Sequence, residues 1–223
     1  MAARLIVIEG LDGCGKQTQA TKLTNRLNEN GIRAKYISFP NYESKSSSLV
    51  KMYLNGEISK NANDVNLYAA SSFFSMDRYI TFKKDIKSFI NDYDVLVCDR
   101  YTDSNAIYQM AKSDKSEWEQ YLKWLYDFEY EKLRLPRPTA TIFLYIPLNI
   151  SQKLMEQRYK KDSGKKDIHE KDMKFLNACT QTAFYLCDKF SWAKVNCLSK
   201  EDKLRSIEDI GCDVYNMVMN ILQ

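Results

Sequence analysis

The sequence predicts an α/β fold of the doubly wound kind, in which helices cover both faces of a parallel sheet. Short apolar segments rich in β-branched residues alternate along the chain with longer segments whose apolar residues recur at helical spacing, as in βαβ units. No stretch rich in proline, glycine and serine divides the 223 residues, of which 44% are hydrophobic. We therefore expect residues 1–223 to form one domain with a sizeable core.

The N-terminal elements follow from this pattern in order. Residues 4–9 are apolar and β-branched, as in a buried parallel strand, and residues 16–28 carry apolar side chains at helical spacing. The Asn-Gly pair at 30–31 is typical of the end of a helix. Residues 33–39 are predicted to form a second strand, which Pro40 ends.

The later elements repeat the alternation. Residues 65–91 are predicted to be helical over most of their length, and residues 94–98 form a third strand. A helix at 118–133 precedes the strand 139–146, which has the clearest strand pattern in the chain. Residues 151–187 are helical at both ends, with a charged break between the two halves. Strands separated by helices favour parallel pairing, because each parallel return needs a crossover connection.

Composition argues against several classes of protein. A net charge of +4 is too small for a dedicated nucleic-acid binder, and no apolar run approaches the roughly 20 residues that span a bilayer. The chain enters its first strand at once, which leaves no room for a signal peptide. The six cysteines form no CxxC pair and there is a single histidine, so a zinc site is disfavoured. Free thiols in a reducing cytoplasm are expected.

A glycine-rich loop lies between the first strand and the first helix. Gly10, Gly13 and Gly15 form with Lys16 the pattern G-x4-G-K, in which backbone N–H groups and the lysine surround a polyphosphate. The following helix adds the positive end of its dipole. The loop predicts a nucleotide site whose phosphates contact Gly10, Gly13, Cys14, Gly15, Lys16, Gln17 and Thr18.

One position departs from the usual loop. The residue after the lysine is normally a serine or threonine whose hydroxyl binds Mg²⁺, but here it is Gln17, followed by Thr18. An amide oxygen is a plausible ligand for a hard cation, directly or through water. The departure leaves the anion cradle intact and the ligands of the metal open.

Five motifs occur along the chain: IEGLDGCGKQT at 8–18, FPNY at 39–42, FSMDR at 74–78, DRY at 99–101 and DIHE at 167–170. In this order and spacing they resemble the motifs of thymidylate kinases, and the resemblance extends from residue 5 to about residue 187. The resemblance implies a three-layer P-loop kinase fold with a five-stranded parallel sheet, a movable lid at about residues 157–172, and a homodimer. It also implies Mg²⁺-dependent transfer of the γ-phosphoryl group from ATP to dTMP, giving dTDP and ADP in dTTP biosynthesis.

The resemblance assigns the sugar and phosphate contacts of dTMP. Asp12 accepts a hydrogen bond from the deoxyribose 3′-hydroxyl, and Tyr108 lies against C2′, where a ribose hydroxyl would clash. Arg100 clamps the acceptor phosphate through its planar fork, and Tyr42 contacts the same phosphate. Asp99 is the acid near Mg²⁺. For Asp12, a helix-start cap is the alternative reading of the sequence.

The base contacts combine spacing with the resemblance. Phe74 and Arg78 are four residues apart and share one face of the predicted helix. In the family these positions stack on the thymine ring and donate to its O4 carbonyl. Asn105 matches a residue that bonds the pyrimidine edge in some bacterial members of the family. An asparagine amide suits this edge because it both donates and accepts hydrogen bonds. For Asn105, Tyr108 and Tyr42, a solvated loop position is the alternative.

A basic run follows the fourth predicted strand. By itself such a run indicates a solvated face, but its position before Asp167 and Glu170 is that of the family's lid. Because the residue after Asp12 is Gly13, the phosphate loop supplies only Lys16, and we expect further transition-state charge from the lid. The lid cations are Arg158, Lys160, Lys161, Lys165 and Lys166, with Arg158, Lys165 and Lys166 as the best candidates.

The resemblance therefore implies catalytic roles for Lys16, Asp99, Arg100 and Arg158, and Mg²⁺ ligands among Gln17, Asp99 and Glu170. ATP and dTMP are the expected partners, with no nucleic acid and no membrane. Two alternatives remain open at this point. One is a kinase for another nucleoside, deoxynucleoside or monophosphate, and the other is a nucleotide-binding regulator without turnover, for which Gln17 is the only hint.

Overall fold

The structure is a computed structural model that describes residues 3–162, 167–170 and 172–223, apart from the side chains at 158, 161 and 162. Its centre is a five-stranded sheet of order β2-β3-β1-β4-β5, in which every neighbouring pair is parallel. The strands are β1 Arg4–Glu9, β2 Ala34–Ser38, β3 Val95–Asp99, β4 Ala140–Tyr145 and β5 Ala193–Asn196. The predicted fold class is confirmed.

Helices connect and cover the strands. They are α1 Lys16–Glu29, α2 Ser48–Leu54, α3 Leu67–Thr81, α4 Lys87–Phe89, α5 Thr102–Met110, α6 Trp118–Tyr126, α7 Leu148–Asp162, α8 Met173–Phe190 and α9 Ile207–Leu222. Two π-helical segments continue α3 and α6, at Phe82–Ile86 and Asp127–Lys132. The first lies inside the predicted helix 65–91, and the second completes the predicted helix 118–133.

The apolar core lies on both faces of the sheet because successive residues of a strand point to opposite faces. In β1, Ile6 and Ile8 pack with residues of α1 and α9, whereas Leu5 and Val7 pack against the other layer with β3 residues such as Leu96. All four β1 side chains are buried. A strand that is buried on both faces reads as a continuous apolar run, which is why β1 was recognisable from sequence.

The register of the sheet brings three loops to one edge. Ile8 of β1 and Ser38 of β2 both pair with Asp99 of β3, so the three strands end at the same level. The loops that follow are the glycine-rich loop, the turn after Pro40 and the segment after Asp99. Ligands of open α/β sheets bind outside the carboxyl ends of the strands, which is where this topology places the predicted motifs.

No helix in the described ranges is long and apolar enough to cross a membrane. All six cysteines are free thiols, and Cys212 is the exposed one.

Candidate active site

A cavity of about 610 Å³ opens at the carboxyl edge of the sheet. It brings together most of the residues that the sequence predicted for binding and catalysis: Asp12, Gly13, Gly15, Lys16, Gln17, Thr18, Tyr42, Phe74, Arg78, Asp99, Arg100, Asn105, Tyr108, Asp167 and Glu170. Gly10 and Cys14 are buried beneath the loop and do not line the cavity. Phosphate-loop residues and helical aromatic and amide residues therefore share one space.

The glycines of the phosphate loop are required by backbone geometry. A Cβ atom on Gly10 would lie 2.6 Å from the carbonyl oxygen of Leu144, and one on Gly13 would lie 2.7 Å from that of Ser151. Gly15 has a φ of 86°, in the left-handed region, and caps α1 without a side-chain hydrogen bond. The first N–H groups of α1 therefore have no side-chain acceptor at the cap position, and the residues that carry them line the cavity, as an anion site needs.

Charged side chains surround Asp12 within the loop. Lys16 Nζ donates to the Leu11 carbonyl at 2.9 Å and lies 4.0 Å from Asp12 Oδ1. The Arg100 guanidinium donates to the same carboxylate, and the Tyr108 hydroxyl donates to its Oδ2 at 2.8 Å. Burial acts to raise the pKa of Asp12, but the charges of Arg100 and Lys16 lower it to about 2. Asp12 is therefore an ionised acceptor at neutral pH.

Arg100 is held in an uncommon backbone conformation. Its φ is 65°, in the left-handed region, and its N–H donates to the Ile8 carbonyl at 3.1 Å. Glu9, which is fully buried at the end of β1, accepts from the Tyr101 N–H at 3.0 Å and from the Ser104 hydroxyl. Backbone strain of this kind persists only where the surroundings enforce it. Glu9 was missed from sequence, although a carboxylate in an apolar strand was an available signal.

The carboxylate of Asp99 fits the predicted magnesium site. Its Oδ1 is buried and has no hydrogen-bond partner among the described residues, whereas Oδ2 accepts from the Tyr36 hydroxyl at 3.4 Å. Gln17 lies exposed in the first turn of α1 at the same cavity. Within the described ranges no three His, Cys, Asp or Glu residues are grouped to hold a metal, as expected where phosphates and water supply most Mg²⁺ ligands.

Glu170 has a role inside its own turn. Its Oε2 accepts from the Asp167 N–H at 3.1 Å and from the Tyr159 hydroxyl. Asp167 Oδ1 accepts in return from the N–H groups of His169 and Glu170. Burial and then the charge of Asp12 raise the pKa of Asp167 to about 7. The proposed metal role of Glu170 stays a prediction.

The base end of the cavity is built from side chains of α3 and α5, of which the polar ones are buried. Phe74 lies partly exposed in the cavity, and its ring meets that of Tyr53 edge-on at 6.2 Å. Arg78 is 2% exposed and forms an ion pair with Glu129 at 2.5 Å. Asn105 is also 2% exposed. Arg78 and Asn105 thus present only a small part of their polar atoms to the cavity.

Tyr108 is backed by a histidine from the 167–170 turn. The two rings stack at 5.5 Å with an interplanar angle of 14°. His169 Nε2 is hydrogen-bonded to the Tyr53 hydroxyl at 2.7 Å, which also accepts from Lys112 Nζ at 2.7 Å. Burial, and then the charge of Lys112, lower the pKa of His169 to about 3, so the imidazole is neutral. Sequence patterns gave no signal for Tyr53 or Lys112.

Two other predicted groups lie at or beyond the edge of the cavity. Tyr42 is 48% exposed at its mouth. Lys160 is exposed on α7 and does not line the cavity. The predictions for Lys161, Lys165, Lys166 and the side chain of Arg158 lie outside the described residues.

Comparison with known proteins identifies the family of this chain. The sequence model of the thymidylate kinase family matches residues 8–207. Thymidylate kinase from Mycobacterium tuberculosis is 31% identical over 170 residues, which are 75% of this chain and 78% of that protein. The Plasmodium falciparum thymidylate kinase is 27% identical and covers 98% of this chain and 90% of its own length. A solved thymidylate kinase structure from Candida albicans superposes with a TM-score of 0.71 at 21% identity, covering 100% of this chain and 94% of that one. The chain belongs to the thymidylate kinase family.

Proposed function

We propose that this protein transfers the γ-phosphoryl group of ATP to dTMP, giving dTDP and ADP. The observation that supports the proposal is that one cavity has two ends of different chemistry. One end offers a backbone cradle and cations for phosphates. The other offers an aromatic ring beside buried amide and guanidinium groups, which suits a flat, hydrogen-bonding base.

At the phosphate end, the chain binds and neutralises charge. The N–H groups at the start of α1 and the Lys16 ammonium hold the donor phosphates. Arg100 lies beside Asp12, where its fork meets the acceptor phosphate from the other side. Mg²⁺, when bound near Asp99 and Gln17, would neutralise further charge on the transferred group. Phosphoryl transfer depends on such positioning and charge, so neutral His169 is not needed as a base.

At the acceptor end, the contacts select a deoxynucleotide. Asp12 is ionised and accepts from a sugar hydroxyl, while the Tyr108 hydroxyl already donates to Asp12 and fixes the ring beside it. A ring locked at that position leaves little space for a 2′-hydroxyl. Phe74 supplies the stacking face for the base, and Arg78 and Asn105 supply its polar edge.

A coupled assay of ADP release tests the proposal. Purified protein with ATP and Mg²⁺ is given dTMP, dUMP, dCMP, dGMP or dAMP in turn. The proposal requires dTMP to give the highest kcat/KM, with ADP and dTDP formed in equal amounts. A purine monophosphate as best substrate would indicate another monophosphate kinase, and nucleotide binding without ADP release would indicate a regulator.

The assembly and place of the reaction are part of the same proposal. We expect a homodimer in the cytoplasm, as the family resemblance implies. Sedimentation equilibrium checks the assembly, because a dimer has twice the 26.1 kDa mass of the chain. A single species at the monomer mass at micromolar concentration would exclude the dimer.

A further inference from the structure

A buried carboxylate lies behind the base end of the cavity. Glu129 is fully buried and belongs to the π-helical segment Asp127–Lys132, which continues α6. Its two oxygens accept five hydrogen bonds from four side chains on α3 and α5: Ser75, Arg78, Thr102 and Asn105. Single π-helical turns are rare and occur frequently at functional sites, because they redirect the side chains of one turn.

The contribution of this buried ion pair to stability does not explain its presence. A buried ion pair contributes little net stability compared with apolar residues of similar volume, since both charges lose their hydration. Burial alone would lower the pKa of Arg78, but Glu129 raises it, so the guanidinium stays charged. A charged pair kept dry beside a binding cavity points to recognition, provided that unused polar atoms face the ligand.

Arg78 retains such atoms. Its Nε donates to Glu129 Oε2 at 2.8 Å and its Nη2 to Oε1 at 2.5 Å, while Nη1 donates to the Tyr101 carbonyl at 3.3 Å. A guanidinium has five N–H donors, so these three bonds leave two. Arg78 lines the cavity, and the remaining N–H groups are the polar atoms that it can offer there.

Asn105 is oriented by the same carboxylate. Its amide nitrogen lies 3.1 Å from Glu129 Oε1 and 3.1 Å from the carbonyl oxygen of Ser71. Both of these oxygens can only accept, so the amide atom that faces them must be the NH₂ group. The side-chain oxygen of Asn105 is then left as an acceptor, and no donor in the described part of the chain bonds to it. Asn105 also lines the cavity.

We propose that Glu129 is a positioning residue that sets the base preference of the site. It fixes Arg78 as a donor and Asn105 as an acceptor, which matches a pyrimidine with a C4 carbonyl and an N3–H group, as in thymine and uracil. Cytosine presents the reverse pattern, a 4-amino group and an unprotonated N3. The inference rests on the proposed function, because it takes the acceptor to be a pyrimidine monophosphate in this cavity.

The test replaces Glu129 by glutamine and measures base discrimination. In Glu129→Gln the new amide points its NH₂ at an N–H group of Arg78 in either orientation, so Arg78 loses a partner. Asn105 loses the charged acceptor at residue 129 and is held mainly by the Ser71 carbonyl, so its orientation is less firmly fixed. The wild type should prefer dTMP to dCMP by about 10²-fold or more in kcat/KM. The variant should lose at least tenfold of that preference, whereas its KM for ATP stays within about twofold. Dissociation constants of both nucleotides without ATP, from calorimetry, should show the same loss.

Asp103→Asn is the matched control. Asp103 is 4% exposed in the same first turn of α5 as Thr102, but it accepts from Thr141 at 2.7 Å and from Tyr126 at 3.4 Å, away from Arg78 and Asn105. The control should keep the dTMP preference of the wild type. If it lost the preference equally, a general loosening of α5 would explain both results and the proposal would be overturned.

A milder variant covers the case in which Glu129→Gln does not fold. Thr102→Val removes the donor that lies 2.7 Å from Glu129 Oε2 and keeps the shape of the side chain. It should lower the dTMP preference by about threefold. An unchanged preference in every folded variant would refute the role of Glu129. A wild type that binds dTMP over dCMP but releases no ADP would instead refute the proposed function and leave the binding test valid.

Discussion

The two ends of the cavity are built in different ways. The phosphate end comes mainly from one contiguous segment, residues 10–18, which supplies backbone N–H groups, glycines and the buried Lys16, and Arg100 joins it directly after β3. The base end comes from α3, α5 and the π-helical segment Asp127–Lys132, and its polar groups are buried and bound to one another. Local backbone geometry makes the first end, and tertiary packing makes the second.

This difference predicts different consequences of mutation. At the phosphate end, we expect Lys16 and Arg100 to meet charge that develops during transfer, so their loss should act on kcat. At the base end, we expect Phe74 to contact only the acceptor, so its loss should act on KM for dTMP. A single substitution at either end that changed both kcat and KM for dTMP would contradict this separation of roles.

The largest effect is expected at Lys16. Lys16→Met keeps the aliphatic stem and removes the charge, so kcat should fall by roughly 10²-fold or more, as for other preorganised transition-state cations. Steady-state ADP release measures the change. Lys22→Met is the control, because Lys22 lies on the same helix and pairs with exposed Glu208 at 3.0 Å. Wild-type turnover in a folded Lys16→Met protein would contradict a role of the phosphate end in phosphoryl transfer.

The next effect is expected at Phe74. Phe74→Ala should raise KM for dTMP by an amount equivalent to about 1–3 kcal/mol, the usual cost of losing a base stack, and leave KM for ATP nearly unchanged. Phe73→Ala is the control, since Phe73 packs on Tyr53 at 6.3 Å but does not line the cavity. The control should lower the melting temperature without changing KM for dTMP. Equal KM changes in both variants would show that Phe74 belongs to the core.

The difference between local backbone geometry and tertiary packing also explains which parts of the molecule could be predicted from the sequence. The glycine spacing and the apolar run of β1 are local signals. The structure confirms β1, and the backbone of the loop has the close approaches that the glycines permit. β5 is only four residues long and one of its side chains, Val195, is buried, so it carries little periodic signal and entered only through the family resemblance. Glu129 lies in a charged helical stretch and looks like any solvated residue. Its partners are 24–54 positions away, and no local pattern records them.

The stacking of His169 on Tyr108, the residue expected to lie against the sugar, can be tested by changing the pH. The folded-state pKa of His169, about 3, lies below the unfolded value of about 6.5, so the unfolded chain binds the extra proton. Its contribution is therefore full above pH 6.5 and is lost as the pH falls towards 3, which amounts to about 2 kcal/mol by pH 5. In His169→Asn, urea unfolding at pH 7 and pH 5 should show a smaller loss of stability than in the wild type.

The variant will be less stable at both pH values, because it also loses the stack on Tyr108. The comparison is therefore between the two pH slopes. Lys112, Asp12 and Arg100 are the charged groups that act on the imidazole. Burial lowers the pKa of Lys112 to about 7 and raises that of Asp167, in the same turn as His169, to about 7, so both groups contribute to the slope of wild type and variant alike. Parallel slopes for wild type and variant would mean that His169 is solvated and does not hold Tyr108.

The smallest effect is expected at Gln17, the one place where the phosphate end departs from its usual pattern. Asp99 Oδ1 is buried without a described hydrogen-bond partner, and Gln17 lies on the same cavity, so an amide oxygen there can share the cation directly or through water. Gln17→Leu should raise the Mg²⁺ concentration for half-maximal activity by about threefold, a typical size for one weakened ligand contact of under 1 kcal/mol. Gln17→Ser should keep or improve activity, since it restores a hydroxyl. Thr21→Val controls for a general change in α1, because Thr21 is exposed on the same helix and does not line the cavity. Superimposable Mg²⁺ titrations of wild type and Gln17→Leu would show that the metal is held by Asp99, water and phosphates alone, and that the backbone cradle tolerates any side chain at this position.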